Sequence, residues 1–189
     1  MRQIQLMKNL KNLFKLAIIC TPLASFAQNN SCAEFNKVKS MMDAGFSATK
    51  GAKTSEGETN YGMMLITKKV WASNYKFPDA ISADITEVLK VAPDPKNAGH
   101  NLYISFNFAK NCTRAVAEAA FNKVRDNIRS CTPANWKVQE KSGTTYSKFI
   151  MMDGAYYDES PHKVTLQFNK LDGPGDKYTA DLIFDGAVK

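Results

Sequence analysis

The sequence predicts an α+β protein in which a mostly antiparallel sheet packs one apolar face under two helices. Three observations predict it. Two stretches carry apolar residues at helical spacing, four others alternate apolar and polar residues with period two, and one pentapeptide recurs in a way that points to a tandem αββββ unit.

The first helix is expected over 31–45. Ser31 followed by Glu34 has the spacing of a capping box, Phe35, Val38, Met41 and Met42 form one stripe, and Gly45 stands where a helix ends in a left-handed residue. The second is expected over 113–130, with Val116, Ala117, Ala120, Phe121, Val124 and Ile128 on one face and Thr132-Pro133 beyond its end.

Both helices are one-sided, so both need a surface to lie on. Ile81, Ala83 and Ile85 alternate with Ser82, Asp84 and Thr86, and Leu102, Ile104, Phe106 and Phe108 alternate with Tyr103, Ser105 and Asn107. Val164, Leu166 and Phe168 alternate with Thr165, Gln167 and Asn169, and Tyr178, Ala180, Leu182 and Phe184 alternate with Thr179, Asp181, Ile183 and Asp185. Such alternation marks half-buried antiparallel strands. Weaker strands are expected at 63–71, 136–140 and 146–152, with loops at 51–60, 92–101 and 172–177.

In order, these elements read as helix then four strands, twice. Phe35-Asn36-Lys37-Val38-Lys39 returns 86 residues later as Phe121-Asn122-Lys123-Val124-Arg125. The expected halves are 28–111 and 112–189, forming one unit. This layout resembles the tandem helix-plus-four-strand arrangement of the β-lactamase inhibitory proteins, which are secreted binders. The likeness is one of element order, and it implies a binding role by analogy alone.

Residues 1–27 read as a cleavable signal peptide. Arg2, Lys8, Lys11 and Lys15 precede a dozen largely apolar residues, a run too short to span a bilayer, and Ser25-Phe26-Ala27 suits a signal peptidase. Cleavage near Ala27 places the protein in the periplasm or outside the cell, with no stable membrane insertion. Loss of those four basic residues leaves 21 Lys and Arg against 18 Asp and Glu, so the net charge of +7 drops to +3. No block of like charge remains to mark a nucleic-acid surface.

Three cysteines follow Ala27. Cys112 and Cys131 lie at opposite ends of the second helix, where 19 steps of 1.5 Å separate them by roughly 28 Å, beyond the ~7 Å a disulfide allows. If the two helices pack side by side and antiparallel, the start of the first meets the end of the second. The expected disulfide is therefore Cys32 to Cys131.

Groups for catalysis are sparse. His100 and His162 are expected in loops just before strands, with no nucleophile or orienting carboxylate assigned by spacing. No metal-binding spacing occurs, and no cofactor is implied. Asp158 and Glu159 beside His162 suit a hairpin loop better than a cation site. Met41-Met42, Met63-Met64 and Met151-Met152 suggest soft-metal ligands, but neighbours in a strand face opposite ways, so core filling is expected.

The candidate site is the other face of the sheet. With the helices covering Leu102, Ile104, Phe106, Leu166, Phe168 and Leu182, the residues Tyr103, Ser105, Asn107, Thr165, Gln167, Asn169, Thr179 and Asp181, with Ile183, form a polar platform with few long charges. Trp71, Tyr156 and Tyr157 are candidate anchors. The expected function is that of an exported, non-catalytic protein-binding protein: an inhibitor, immunity or envelope accessory protein. A small-molecule or lipid carrier, with Phe106, Phe108, Phe168 and Phe184 lining a cavity, is the alternative, and an envelope hydrolase using a histidine is the third reading.

Overall fold

Among the described residues, eight strands, several of them alternating apolar and polar residues, form a single antiparallel sheet. The computed structural model describes residues 21–95, 98–156 and 160–187. The strands are β1 (Lys50–Tyr61), β2 (Met64–Ser73), β3 (Ser82–Val91), β4 (Gly99–Cys112), β5 (Lys137–Ser142), β6 (Tyr146–Met152), β7 (His162–Lys170) and β8 (Tyr178–Ala187). The α-helices among the described residues are α1 (Thr21–Asp43) and α2 (Arg114–Ile128), so the protein is of mixed α+β class and mostly sheet. The strand order is β1-β2-β3-β4-β8-β7-β6-β5, with β4 paired against β8 at the centre.

The helix stripes pack on one face of this sheet. Phe35, Val38 and Met42 from α1 and Ala117, Phe121, Val124 and Ile128 from α2 join Ile85, Ile104, Phe106, Val164, Leu166, Leu182 and Phe184 in one core. Phe35 meets Phe184 at 5.2 Å between ring centroids, Phe106 meets Phe184 at 6.1 Å, and Phe121 meets Phe168 at 5.7 Å. Each such ring, fully buried, contributes about 2–3 kcal/mol by removal of apolar area from water.

α1 ends as its sequence predicts. The N–H of Gly45 donates to Met42 O and that of Phe46 to Met41 O, a Schellman pair made possible by the left-handed backbone of Gly45 at φ +65°. Its start differs. The helix already runs from Thr21, so Ser31 lies within it and is not its N-cap. The expected signal peptide falls partly on residues 1–20, outside the described residues.

Several strand expectations need correction. The segment 51–60, expected as a loop, is most of edge strand β1, and every residue from Ala52 to Tyr61 is exposed. With no buried face it has no apolar period, and it is held by backbone pairing to β2 together with surface contacts such as Lys69 to Glu56 and Lys50 over Trp71. Ile81 lies outside β3 and is exposed, as is Val116 on α2, whose buried stripe is 117, 121, 124 and 128. His100 lies within β4 and His162 opens β7, so neither is in a loop. Met63 sits at the β1–β2 turn, 82% exposed, rather than in the core.

Cys32 and Cys131 stand at disulfide distance, with Cα atoms 5.0 Å apart. Cys32 does so from within α1, because the helix begins well before it. Cys112 is the free cysteine among the described residues, and its thiol donates to Tyr178 O at 3.5 Å.

Candidate functional site

Strand register decides what the helix-free face presents. Asn107 pairs with Asp181 and Asp181 with Gln167, giving one row across β4, β8 and β7. Ser105, Ile183 and Thr165 form the next row, Tyr103 lies opposite Asp185, and Asn169 lies opposite Thr179. All eight platform residues therefore share one face.

That face is neither flat nor lightly charged. A groove of about 400 Å³ is lined by Lys141, Tyr146, Lys148, Ile150, Thr165, Gln167, Asn169, Ile183 and Asp185. Three of the platform residues, Thr165, Gln167 and Asn169, fall in it, whereas Tyr103, Ser105, Asn107, Thr179 and Asp181 do not line it. Lys137, Lys141, Lys148, Lys163 and Asp185 stand on the same face, so the expectation of few long charges is corrected. The cause is the β5–β6 hairpin: Phe149, Ile150, Met151 and Met152 are apolar in both phases, which hides the period that would have assigned Lys148 and Ile150 to a face.

The floor of the groove is shielded by side chains. Ile150 is 3% exposed although it belongs to the face without helices, and Thr165 beside it is 7% exposed. Gln139, opposite Ile150 on β5, has a buried Oε1 with no hydrogen-bond partner among the described residues. Lys163 pairs with Asp185 across β7 and β8 at 3.6 Å, and burial pushes the Asp185 carboxyl up despite that lysine.

Asp181 is the most buried acid of the face, 9% exposed. Burial raises its carboxyl to about 6, against the opposing pull of the Thr179 hydroxyl and of Lys110. The Thr179 hydroxyl lies 3.0 Å from Ala109 O and 3.2 Å from Asp181 Oδ2. It has one proton to donate, so when it serves Ala109 a protonated Asp181 can donate to the Thr179 oxygen.

The histidines are engaged elsewhere. His162 spans two acids, with Nδ1 2.7 Å from Asp153 Oδ2 and Nε2 3.1 Å from Asp43 Oδ1, tying the end of α1 to the end of β6. His100 Nε2 lies 2.6 Å from Glu87 Oε1. No cluster of three His, Cys, Asp or Glu side chains fit to hold a metal occurs among the described residues. Asp158, Glu159 and Tyr157 lie outside those residues, and Tyr156 is exposed.

The aromatic anchors and rings also find their places. Trp71 packs against the core with Lys50 Nζ 4.1 Å over its ring, and Trp136 is buried. Phe106, Phe168 and Phe184 are 0–1% exposed and packed ring against ring, so they fill space.

Compared with protein-family models, curated proteins and solved structures, the chain matches none at a significant level. The likeness to the β-lactamase inhibitory proteins therefore rests on element order alone. A cysteine pair at disulfide distance, and the absence among described residues of a helix long and apolar enough to cross a membrane, are compatible with a secreted or periplasmic protein.

Proposed function

We propose that this is an exported, non-catalytic binding protein that engages another protein through the helix-free face of its sheet. The observation that carries the reading is the groove between β5 and β8: a concave site of about 400 Å³, apolar at Ile150 and Ile183 and rimmed by amides, lysines and Tyr146. Export is supported by the charged-then-apolar N-terminus and the Cys32–Cys131 pair. A binding role, rather than hydrolysis, is supported by the engagement of both His162 ring nitrogens by acids.

A tandem origin for the two halves belongs to the same proposal. Its support is a strand order that reads alike from either edge, and the burial of both Phe35-Val38 and Phe121-Val124 at equivalent places in the repeated pentapeptide.

The test is affinity capture from envelope and culture-supernatant fractions of the host, using tagged wild-type protein and a Thr165→Arg/Gln167→Arg variant that fills the groove. One stoichiometric protein held by the wild type and lost by the variant is expected. A partner held equally by both, or a co-purifying small molecule in place of a protein, overturns the reading.

A further inference from the structure

Lys141 and Lys148 are direct cross-strand neighbours in the β5–β6 hairpin, and both line the groove. Like charges at directly opposed positions destabilise a hairpin, since their Cβ atoms stand only about 5 Å apart. Neither ammonium has a side-chain partner among the described residues, and neither does Lys137 on the same face. The acid of the same strand is turned away: Glu140 pairs with Arg129 on the helix side. The hairpin thus sorts its charges by face, leaving an uncompensated positive rim over an apolar floor.

From this juxtaposition we infer that the groove receives an acidic, extended segment of the partner protein, with its carboxylates on Lys141 and Lys148 and an apolar side chain against the part-exposed Ile183. The inference rests on the binding role proposed above and names the chemistry of the partner. Charge complementarity selects the occupant. A carboxylate between the two ammonium groups converts their repulsion into two charge-assisted contacts. Side chains two residues apart on an extended strand face the same way, so a segment with an acidic and an apolar residue at such spacing can present both to the lysine rim and to Ile183. A continuous polyanion is disfavoured, because Asp185 lines the same groove and Asp181 lies in the adjoining row. The volume suits a few side chains, and a nucleic-acid duplex would not enter it.

The test uses the full chain and two synthetic peptides, one repeating Glu-Ser-Leu-Ser and one repeating Lys-Ser-Leu-Ser, so that the charged residue and Leu share a face of the extended chain. Titration calorimetry is run in low and moderate salt, with a single-stranded oligonucleotide as a third probe. The Glu-Ser-Leu-Ser peptide is expected to bind, to weaken severalfold as salt rises, and to lose about tenfold or more in affinity on Lys141→Glu/Lys148→Glu. A Lys141→Gln/Lys148→Gln variant guards against misfolding, since it removes the repulsion, and is expected to melt no lower than wild type while binding the peptide weakly. Equal binding of both peptides, no binding of either, unchanged affinity in the glutamine variant, or tighter binding of the oligonucleotide overturns the inference. A captured host protein that is lost by the Thr165→Arg/Gln167→Arg variant but indifferent to Lys141 and Lys148 removes this inference while leaving the binding role standing.

Discussion

Cys32, part-way along α1, and Cys131, in the 3-10 turn that follows α2, bring their Cα atoms to 5.0 Å across 99 residues of chain. A bridge there closes a loop long enough to remove about 5 kcal/mol of unfolded-state freedom by the chain-entropy model. Reduction is expected to lower the melting temperature by about 10 °C. Non-reducing peptide mapping should find Cys32 linked to Cys131 and Cys112 as a thiol. A Cys32–Cys112 peptide would refute the pairing.

Asp181 is expected to make stability depend on pH with a definite sign. Its folded-state value, about 6, lies above the ordinary 3.8, so the folded protein holds the proton more tightly than the unfolded chain. The resulting stability is full below about pH 3.8 and lost as pH rises through about 6, where the buried carboxylate comes to cost on the order of 3 kcal/mol. Asp181→Asn keeps the shape and removes the charge. Urea unfolding should show variant and wild type alike near pH 4 and the variant more stable at pH 8; equal stability at pH 8 would refute this.

Tyr75 joins the segment after β2 to α1. Its hydroxyl donates to Glu34 Oε2, its ring meets Phe106 edge-on at 5.9 Å, and Lys37 Nζ lies 4.7 Å over the ring. Burial first, and then the Glu34 carboxylate, hold the phenol above its ordinary value. In ultraviolet titration of the 7 tyrosines, Tyr75→Phe should remove one that ionises late and none that ionises early. The lost hydrogen bond should cost about 1–2 kcal/mol in denaturant unfolding.

Gly143 controls the aromatic wall of the groove. A Cβ there would lie 2.6 Å from Tyr146 Cε1, and Tyr146, 37% exposed, has room to swing away. Gly143→Ala is therefore expected to change stability by less than about 1 kcal/mol. It should weaken Glu-Ser-Leu-Ser peptide binding as Tyr146→Ala does, and the double variant should add little. Additive losses would place Gly143 outside the groove's machinery.

The fold was legible where one side of an element is buried and the other is wet. Val164, Leu166 and Phe168 show a period because helices cover them, and Gly45 announces a helix end because its backbone is left-handed. β1 was not legible, because pairing to β2 orders residues whose side chains remain exposed from Ala52 onward. Ser31 and Glu34 have the spacing of a cap, yet α1 continues through them, as a local motif does not exclude a longer helix. The platform residues were found by phase, while Lys141, Tyr146, Lys148 and Ile150 were hidden because β6 is apolar in both phases.

By itself, the sequence determined the local matters: helical stripes, strand alternation, the end of α1, and the impossibility of joining the two ends of α2 through Cys112 and Cys131. These depend on neighbours within a few residues, or on the fixed rise of a helix. Only the tertiary structure decided that Lys141 faces Lys148, that Asp181 lies between Asn107 and Gln167, and that Ile150 is shielded on the open face. Those relations come from register between paired strands. A slip of one residue turns every side chain of a strand to the other face, and only the packed sheet fixes which register holds.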